Sequence, residues 1–369
     1  MIRFALSLFA VTQGVPADSI GTRLQALADS LVGARPRLPG VVLFVESTRL
    51  DRRWTAAAGR SDTARGLAMR ANQPLRIASN TKTYTAAAIL RLRERGVLAL
   101  GDPIARHLPD DLRRALERGG YRPAVITVEH VLAHRAGLAE HPEVPSYVPA
   151  MLANPEKRWT RLEQVRWMVD SLKPVGEPGE RFKYSDTGYL LLGAIVERYA
   201  GGNLGTGVRE LLGFGRLGLR HTWFETLEPE PAGTPARVHQ YMNGLDTFGH
   251  DPSFDLYGGG GIVAPIAELG AFMTALLTGK VFDHAATLDT MVAVRSTELG
   301  GYGLGVFRVN LAGRRGVGHS GFWGTLAAHF PADSVTVAVA VNEQSQGGVA
   351  FGAMAAVLRA LFPTPSTED

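Results

Sequence analysis

The chain has 369 residues, 45% apolar and 20% charged, the make-up of a folded globular protein large enough for a sizeable core. It has no cysteine, which excludes disulfides, thiol catalysis and Cys-ligated zinc. The net charge of +4 and pI of about 9.4 come almost entirely from dispersed arginines, with no basic run of five or six, so no nucleic-acid partner is expected.

In chain order, Arg3 leads an apolar run from Phe4 to Val11, and Val15-Pro16-Ala17 offers small residues for cleavage before Asp18. The pattern predicts a short export signal over residues 1–17 and a periplasmic or secreted protein. No other apolar run approaches the length of a membrane span, so no stable membrane insertion is expected. Asp18 to Val32 predicts an amphipathic helix, closed by Gly33 and Pro36. Val41 to Val45 and Trp54 to Ala58 predict two strands around a charged turn. A short extended run, Pro74 to Ala78, precedes the Ala/Leu/Arg-rich stretch Thr83 to Arg95, which reads as helix until Gly96. From Ser79 to about His250 the patterns are mainly helical, broken by Pro/Gly loops such as Lys173 to Gly179.

Pro265 to Leu277 predicts a helix with proline at its first position. Four strands are predicted next, at Tyr302 to Val309, Arg315 to His319, Thr325 to Phe330 and Val335 to Val341, and then a helix from Val349 to Leu361. Strands at both ends with helices between them predict a mixed α/β (α+β) fold. Residues 18–78 and 255–364 would form a discontinuous domain around an antiparallel sheet, with a mainly helical domain, 79–254, inserted in it. A cleft between the two is the expected place for a ligand.

Ser79-Asn80-Thr81-Lys82 opens the predicted helix. Residues three apart share a helix face, so the Lys82 amine can stand beside the Ser79 hydroxyl and take its proton. The chain has 15 Ser and 5 Lys. Random placement would give roughly 0.2 such pairs, and one is present. On these four residues alone, a helix cap followed by a solvated lysine explains the sequence as well. Two further motifs supply context. Tyr184-Ser185-Asp186 precedes the apolar helical run Leu190 to Val196, and His319-Ser320-Gly321 lies between two predicted strands.

With these motifs in this order, about 105 and then about 135 residues apart, the chain resembles the penicillin-recognising serine hydrolases. This superfamily holds the class C β-lactamases, the D-alanyl-D-alanine carboxypeptidases and related esterases, with motifs Ser-x-x-Lys, Tyr-x-Asn and Lys/His-Thr/Ser-Gly. Val128 to Leu138 is similar to the family's Leu-Leu-x-His-x-Ser-Gly-Leu segment, with Ala136 in the serine's place. Leu217 to Thr222 resembles its Pro-Leu-Gly-Met-x-x-Thr corner. Gly258 to Thr278 resembles its Ala-Gly-Gly stretch, with Ala264-Pro265 for Ser-Thr, and Asn342 matches a further position. The likeness runs from about residue 20 to about residue 360.

The resemblance implies a β-lactamase/transpeptidase-like fold and acyl transfer without metal or cofactor. It makes Ser79 the nucleophile, with Lys82 as the base or as the group that lowers the pKa of Tyr184. The Tyr184 phenol would shuttle the proton to the leaving group, and the N–H groups of Ser79 and Phe322 would form the oxyanion hole. His319, Ser320 and Gly321 would line the cleft, with His319 giving a pH-dependent positive charge. Asp186 departs from the family's Asn. As a carboxylate it only accepts hydrogen bonds, would hold Lys82 protonated and would repel anionic substrates. It is equally a cap for the helix that follows.

The substrate is expected to be an ester, a D-amino-acid peptide or a β-lactam. A D-alanyl-D-alanine carboxypeptidase comes first, a carboxylesterase second and a β-lactamase third. A non-turnover β-lactam or muropeptide binder is the reading from another class. Gly213 to Gly218, the His130/His134 pair and Gly258 to Gly261 match cofactor or metal patterns only by letter. Trp323 and Tyr257 are read as core or as walls of the site.

Overall fold

The computed structural model describes residues 17–362, so the predicted export signal lies almost wholly outside it. The strands among these residues are β1 (Gly40–Ser47), β2 (Arg52–Asp62), β3 (Leu67–Ala68), β4 (Pro74–Arg76), β5 (Trp223–Phe224) and β6 (Tyr241–Met242). They continue with β7 (Leu245–Asp246), β8 (Ile262–Pro265), β9 (Phe307–Leu311), β10 (Arg314–Gly321), β11 (Thr325–Phe330) and β12 (Val335–Val341).

Seven of them form one sheet in the order β3-β2-β1-β12-β11-β10-β9, antiparallel throughout. β1 joins the two ends of the chain, pairing Val41 with Val341 and Val45 with Val337. Both β1 and β12 are buried along their whole length, which is why they read as continuous apolar runs rather than as an alternation. Val41, Leu43 and Val45 face one core with the helices Ala17–Gly33 and Gly348–Leu361. Val42 and Phe44 face the other, under the helix Ile266–Leu277, as the two-residue period of a strand requires.

A second, three-stranded sheet, β4-β8-β5, delivers the chain to the turn that carries Ser79. After it, the helix Thr81–Glu94 is buried from Thr81 through Leu90 and packs against the helices Asp186–Ala200 and Leu204–Leu212. Its run Ala86-Ala87-Ala88 lets these backbones approach closely. Among the described residues, no helix is long and apolar enough to cross a membrane.

Two predicted elements shift. The strand expected over Tyr302 to Val309 starts at Phe307, and Tyr302 makes only isolated bridges. Gly305 interrupts it with φ +72°, in a space so tight that a Cβ there would lie 2.4 Å from the Ala86 Cβ. The Gly305 carbonyl accepts a hydrogen bond from Thr83 Oγ1 at 2.8 Å, so this break docks the sheet onto the Ser79–Lys82 helix. Pro265, expected as the first helical residue, instead ends β8 with extended backbone (ψ 145°) opposite Pro74, and the helix begins at Ile266.

Candidate active site

Ser79 lies in a single 3₁₀ turn, Ala78–Asn80, just ahead of the helix that begins at Thr81. Ala78 has φ +46°, a left-handed backbone that costs a non-glycine residue about 1–2 kcal/mol. The turn is pinned from below. Asn80 Nδ2 donates to Thr325 Oγ1 at 2.8 Å and to the Ile77 carbonyl at 3.1 Å, and Thr325 Oγ1 donates to the same carbonyl at 3.0 Å.

Lys82 is wholly buried, and its ammonium spends all three donors. It donates to Ser79 Oγ at 3.0 Å, to the Gly259 carbonyl at 2.8 Å and to the Asp186 carboxylate. Burial would lower its pKa, but Asp186 first and Tyr184 second outweigh that and hold it well above the ordinary lysine value. Burial would raise the Asp186 carboxyl, yet Lys82 keeps it below its usual range. The two are therefore an ion pair at neutral pH. Tyr184 lies against them, its ring centre 5.0 Å from the Lys82 nitrogen. Burial pushes its phenol up to about 12, against the downward pull of Lys82 and of hydrogen bonding to Ser79.

The two expectations for Asp186 separate. The helix cap is Ser185, whose Oγ accepts from Gly188 N at 3.2 Å. Asp186 is the first helical residue, and its side chain is given to Lys82. Its backbone N–H donates to Glu140, a buried carboxyl that burial and then Asp186 push well above the usual glutamate range. Glu140 follows the Val128–Leu138 segment by two residues and carried no motif of its own.

His319 corrects the expectation of a pH-dependent charge in the cleft. It is 2% exposed, and a chain of hydrogen bonds assigns its tautomer. Ser185 N–H donates to His134 Nδ1 at 3.1 Å, so His134 Nε2–H faces the Tyr302 hydroxyl at 3.1 Å. Tyr302 then donates to His319 Nε2 at 3.2 Å, and His319 Nδ1–H donates to the Ser320 carbonyl at 2.7 Å. Both rings are neutral in this chain. Burial, followed by Lys82, depresses His319 to about 3 and takes His134 well below its usual value. His134 is thus a framework residue, and His130 caps its own helix through Thr127.

Ser320 points the other way along β10 and borders a surface groove with Phe307, Val309 and Phe351. Gly321, expected to line the cleft, instead has the space beside it filled by the protein's own atoms. A Cβ there would lie 2.3 Å from the Ile77 carbonyl oxygen and 2.4 Å from Thr325 Oγ1, the groups that pin the Ser79 turn. Gly321→Ala should accordingly lower kcat by at least about 100-fold by displacing Ser79, since angstrom-scale misplacement of a reacting group costs that much. Steady-state rates and the melting temperature check this, and an active, stable variant would mean that the turn tolerates the shift.

A cavity of about 150 Å³ opens beside Ser79. Tyr147, Met151, Leu190, Phe254, Leu256 and Phe322 give it apolar walls, and Asp186 and Trp323 also line it. Of the predicted site residues, Ser79, Asp186 and Phe322 face this cavity, Lys82 and Tyr184 stand behind Ser79, and His319, Ser320 and Gly321 do not line it. Tyr257 does not line it either; its hydroxyl donates to the Trp159 carbonyl at 2.8 Å. The Gly258–Gly261 stretch is close-packed and supplies the Gly259 acceptor for Lys82. Neither this acceptor nor Glu140 could be found without the fold, because one is a backbone atom and the other a lone carboxyl.

Comparison with known proteins agrees with this geometry. Esterase EstB of Burkholderia gladioli is 31% identical over 246 residues, 63% of this chain and 58% of that protein; this chain thus spans little more than half of EstB's length. A putative D-alanyl-D-alanine carboxypeptidase of Salmonella typhimurium is 25% identical over 93% of this chain and 89% of its own. Among solved structures, a D-stereospecific amidohydrolase from Streptomyces superposes with a TM-score of 0.76 at 25% identity, covering 93% of this chain and 98% of that one. The family model described as Beta-lactamase matches residues 25–361, from the first helix to the last and through all three motifs. With the serine, the buried lysine and the tyrosine gathered in one site of that fold, this chain belongs to the beta-lactamase family of serine hydrolases.

Proposed function

We propose that the protein hydrolyses small esters or amides through an acyl-enzyme on Ser79, and that its substrates carry no carboxylate next to the scissile bond. One observation supports the substrate side of this reading. The described residues that line the cavity beside Ser79 include no Arg or Lys, His319 is neutral, and the charge of Lys82 is matched by Asp186. A substrate carboxylate would be buried there without a cation to match its charge, at a cost of several kcal/mol.

In the reaction, Ser79 Oγ bonds to the carbonyl carbon while its proton passes to the Tyr184–Lys82–Asp186 unit. The carbonyl oxygen gains negative charge facing the N–H groups of Ser79 and Phe322. Collapse of this intermediate breaks the ester or amide bond, and Tyr184 protonates the leaving group, taking a proton back from Lys82. Water then repeats the sequence on the acyl-enzyme and releases the acid.

A second reading, a D-alanyl-D-alanine carboxypeptidase, is favoured by the Salmonella relative of similar length. Time courses with p-nitrophenyl acetate, a fluorescent penicillin and a peptide ending in D-Ala-D-Ala separate the two. Sustained ester turnover with little penicillin adduct is the expected result. Release of D-alanine together with a persistent adduct would favour the carboxypeptidase. A persistent adduct without any turnover would point to a non-turnover binder, and silence on all three to a scaffold that has lost catalysis.

A further inference from the structure

The cavity beside Ser79 is apolar along its walls, but among the described residues Gln164, Trp323 and His250 in its lining each keep a buried polar atom without a hydrogen-bond partner. Gln164 is fully buried and lines the cavity. Its Nε2 donates to the Ser253 carbonyl, which assigns the orientation of the amide, since a carbonyl needs a donor opposite it. Oε1 is left with no hydrogen-bond partner. Trp323, 1% exposed, likewise leaves its indole N–H unpartnered among the described residues.

Asp255, two residues after Ser253, also lines the cavity. The Trp323 N–H lies near it and pulls its carboxyl pKa down. The charged groups that face it are Asp186, Lys82 and Arg76. Lys82 is engaged with Asp186, and Arg76 is engaged with Glu225 at 2.8 Å and with the Thr247 and His250 carbonyls, so neither is free to neutralise it. Burial and then Asp186 push the Asp255 carboxyl up to about 7.

Buried polar groups left unpaired cost about 1–3 kcal/mol each, and natural proteins keep few of them. Here Gln164 Oε1 is an unpaired acceptor, and the Asp255 carboxyl lines the same cavity beside Ser79. We infer that this cavity is the subsite for the acyl group of the substrate, and that it takes an apolar ring or short chain ending in a primary amine. The amine would donate to the Gln164 Oε1 and to the Asp255 carboxylate. About 150 Å³ is room for a group the size of benzene. This substrate class rests on the acyl-enzyme reading above and narrows it: the acid released would carry its amine at the end distant from the carboxyl group.

The test compares two p-nitrophenyl esters of equal shape, those of trans-4-aminocyclohexanecarboxylic and trans-4-methylcyclohexanecarboxylic acid. The wild-type enzyme should favour the amine by at least about tenfold in kcat/KM, the scale of one well-met buried polar group. Asp255→Asn should bring that ratio close to one, and Gln164→Met should lower it severalfold. Because the ratio is read within each protein, a general loss of activity cancels. A wild-type ratio near one overturns the subsite even if either variant fails to fold, and so does an unchanged ratio in Asp255→Asn. Turnover of the methyl ester without preference for the amine leaves the hydrolase reading intact. If neither ester is hydrolysed and neither acylates Ser79, both readings fall together.

Discussion

Ser79→Ala should abolish turnover of p-nitrophenyl acetate, with a fall in kcat of at least about 10⁴-fold, the scale for losing the nucleophile of a serine hydrolase. Covalent labelling by a fluorophosphonate should vanish with it. The fold should survive, because Ser79 faces the cavity and contributes one of the three acceptors around Lys82. The pins of its turn, Asn80 and Thr325, are untouched by the change. A melting temperature within a few degrees of wild type would therefore accompany the loss of activity. Labelling at the wild-type rate would place the nucleophile elsewhere and remove the basis of the site.

Lys82→Met is expected to cost both activity and stability, and the two losses can be separated. Without the amine, kcat should fall by at least about 1,000-fold, because the Ser79 proton loses its acceptor. The Asp186 carboxylate is left without its cation in a site that burial makes unfavourable for charge. Breaking such a pair destabilises the protein by about 3 kcal/mol, the low end of the usual range, because the Asp186 side chain keeps about 30% of its surface open to the cavity. The sign of the pH dependence follows from linkage. In the variant the folded state holds the Asp186 proton more tightly than the unfolded state does, so stability is retained near pH 4 and lost as pH rises towards 8. Adding Asp186→Asn removes the orphaned charge and should restore most of the stability at pH 8 while leaving the enzyme inactive. Chemical denaturation of the three proteins at both pH values measures this. Equal stability of the single and double variants would mean that the ion pair does not matter to the fold.

Much of this site was legible in the chain as written. The strands β1 and β12 declare themselves because they are buried on both faces and so appear as unbroken runs of Val, Ala, Leu and Phe. The three motifs name Ser79, Lys82 and Tyr184 because acyl transfer needs those side chains, and helical spacing brings two of them to one face. Short strands such as β5, β6 and β7, two residues each, are too brief to show any period. Their existence depends on what lies across from them.

Which way a side chain points, and what charge it carries, belongs to the tertiary structure. His319 reads as a switchable cation until Tyr302 and His134, at distant positions in the chain, are seen to close a hydrogen-bond chain that leaves it neutral. Gly321 reads as a residue lining the cleft until the Ile77 carbonyl is found filling the space beside it. Asp186 could cap a helix or pair with a lysine, and the contact with Lys82, 104 residues away, decided it. Glu140, Gln164 and Asp255 carry no motif at all. Burial gives each of them its meaning, by removing the water that would otherwise satisfy it. The family, the antiparallel sheet and the Ser-x-x-Lys pair could be read from residue type, motif order and local period. Only folding decided the protonation states and the character of the cavity, because both depend on which groups meet after water has been excluded.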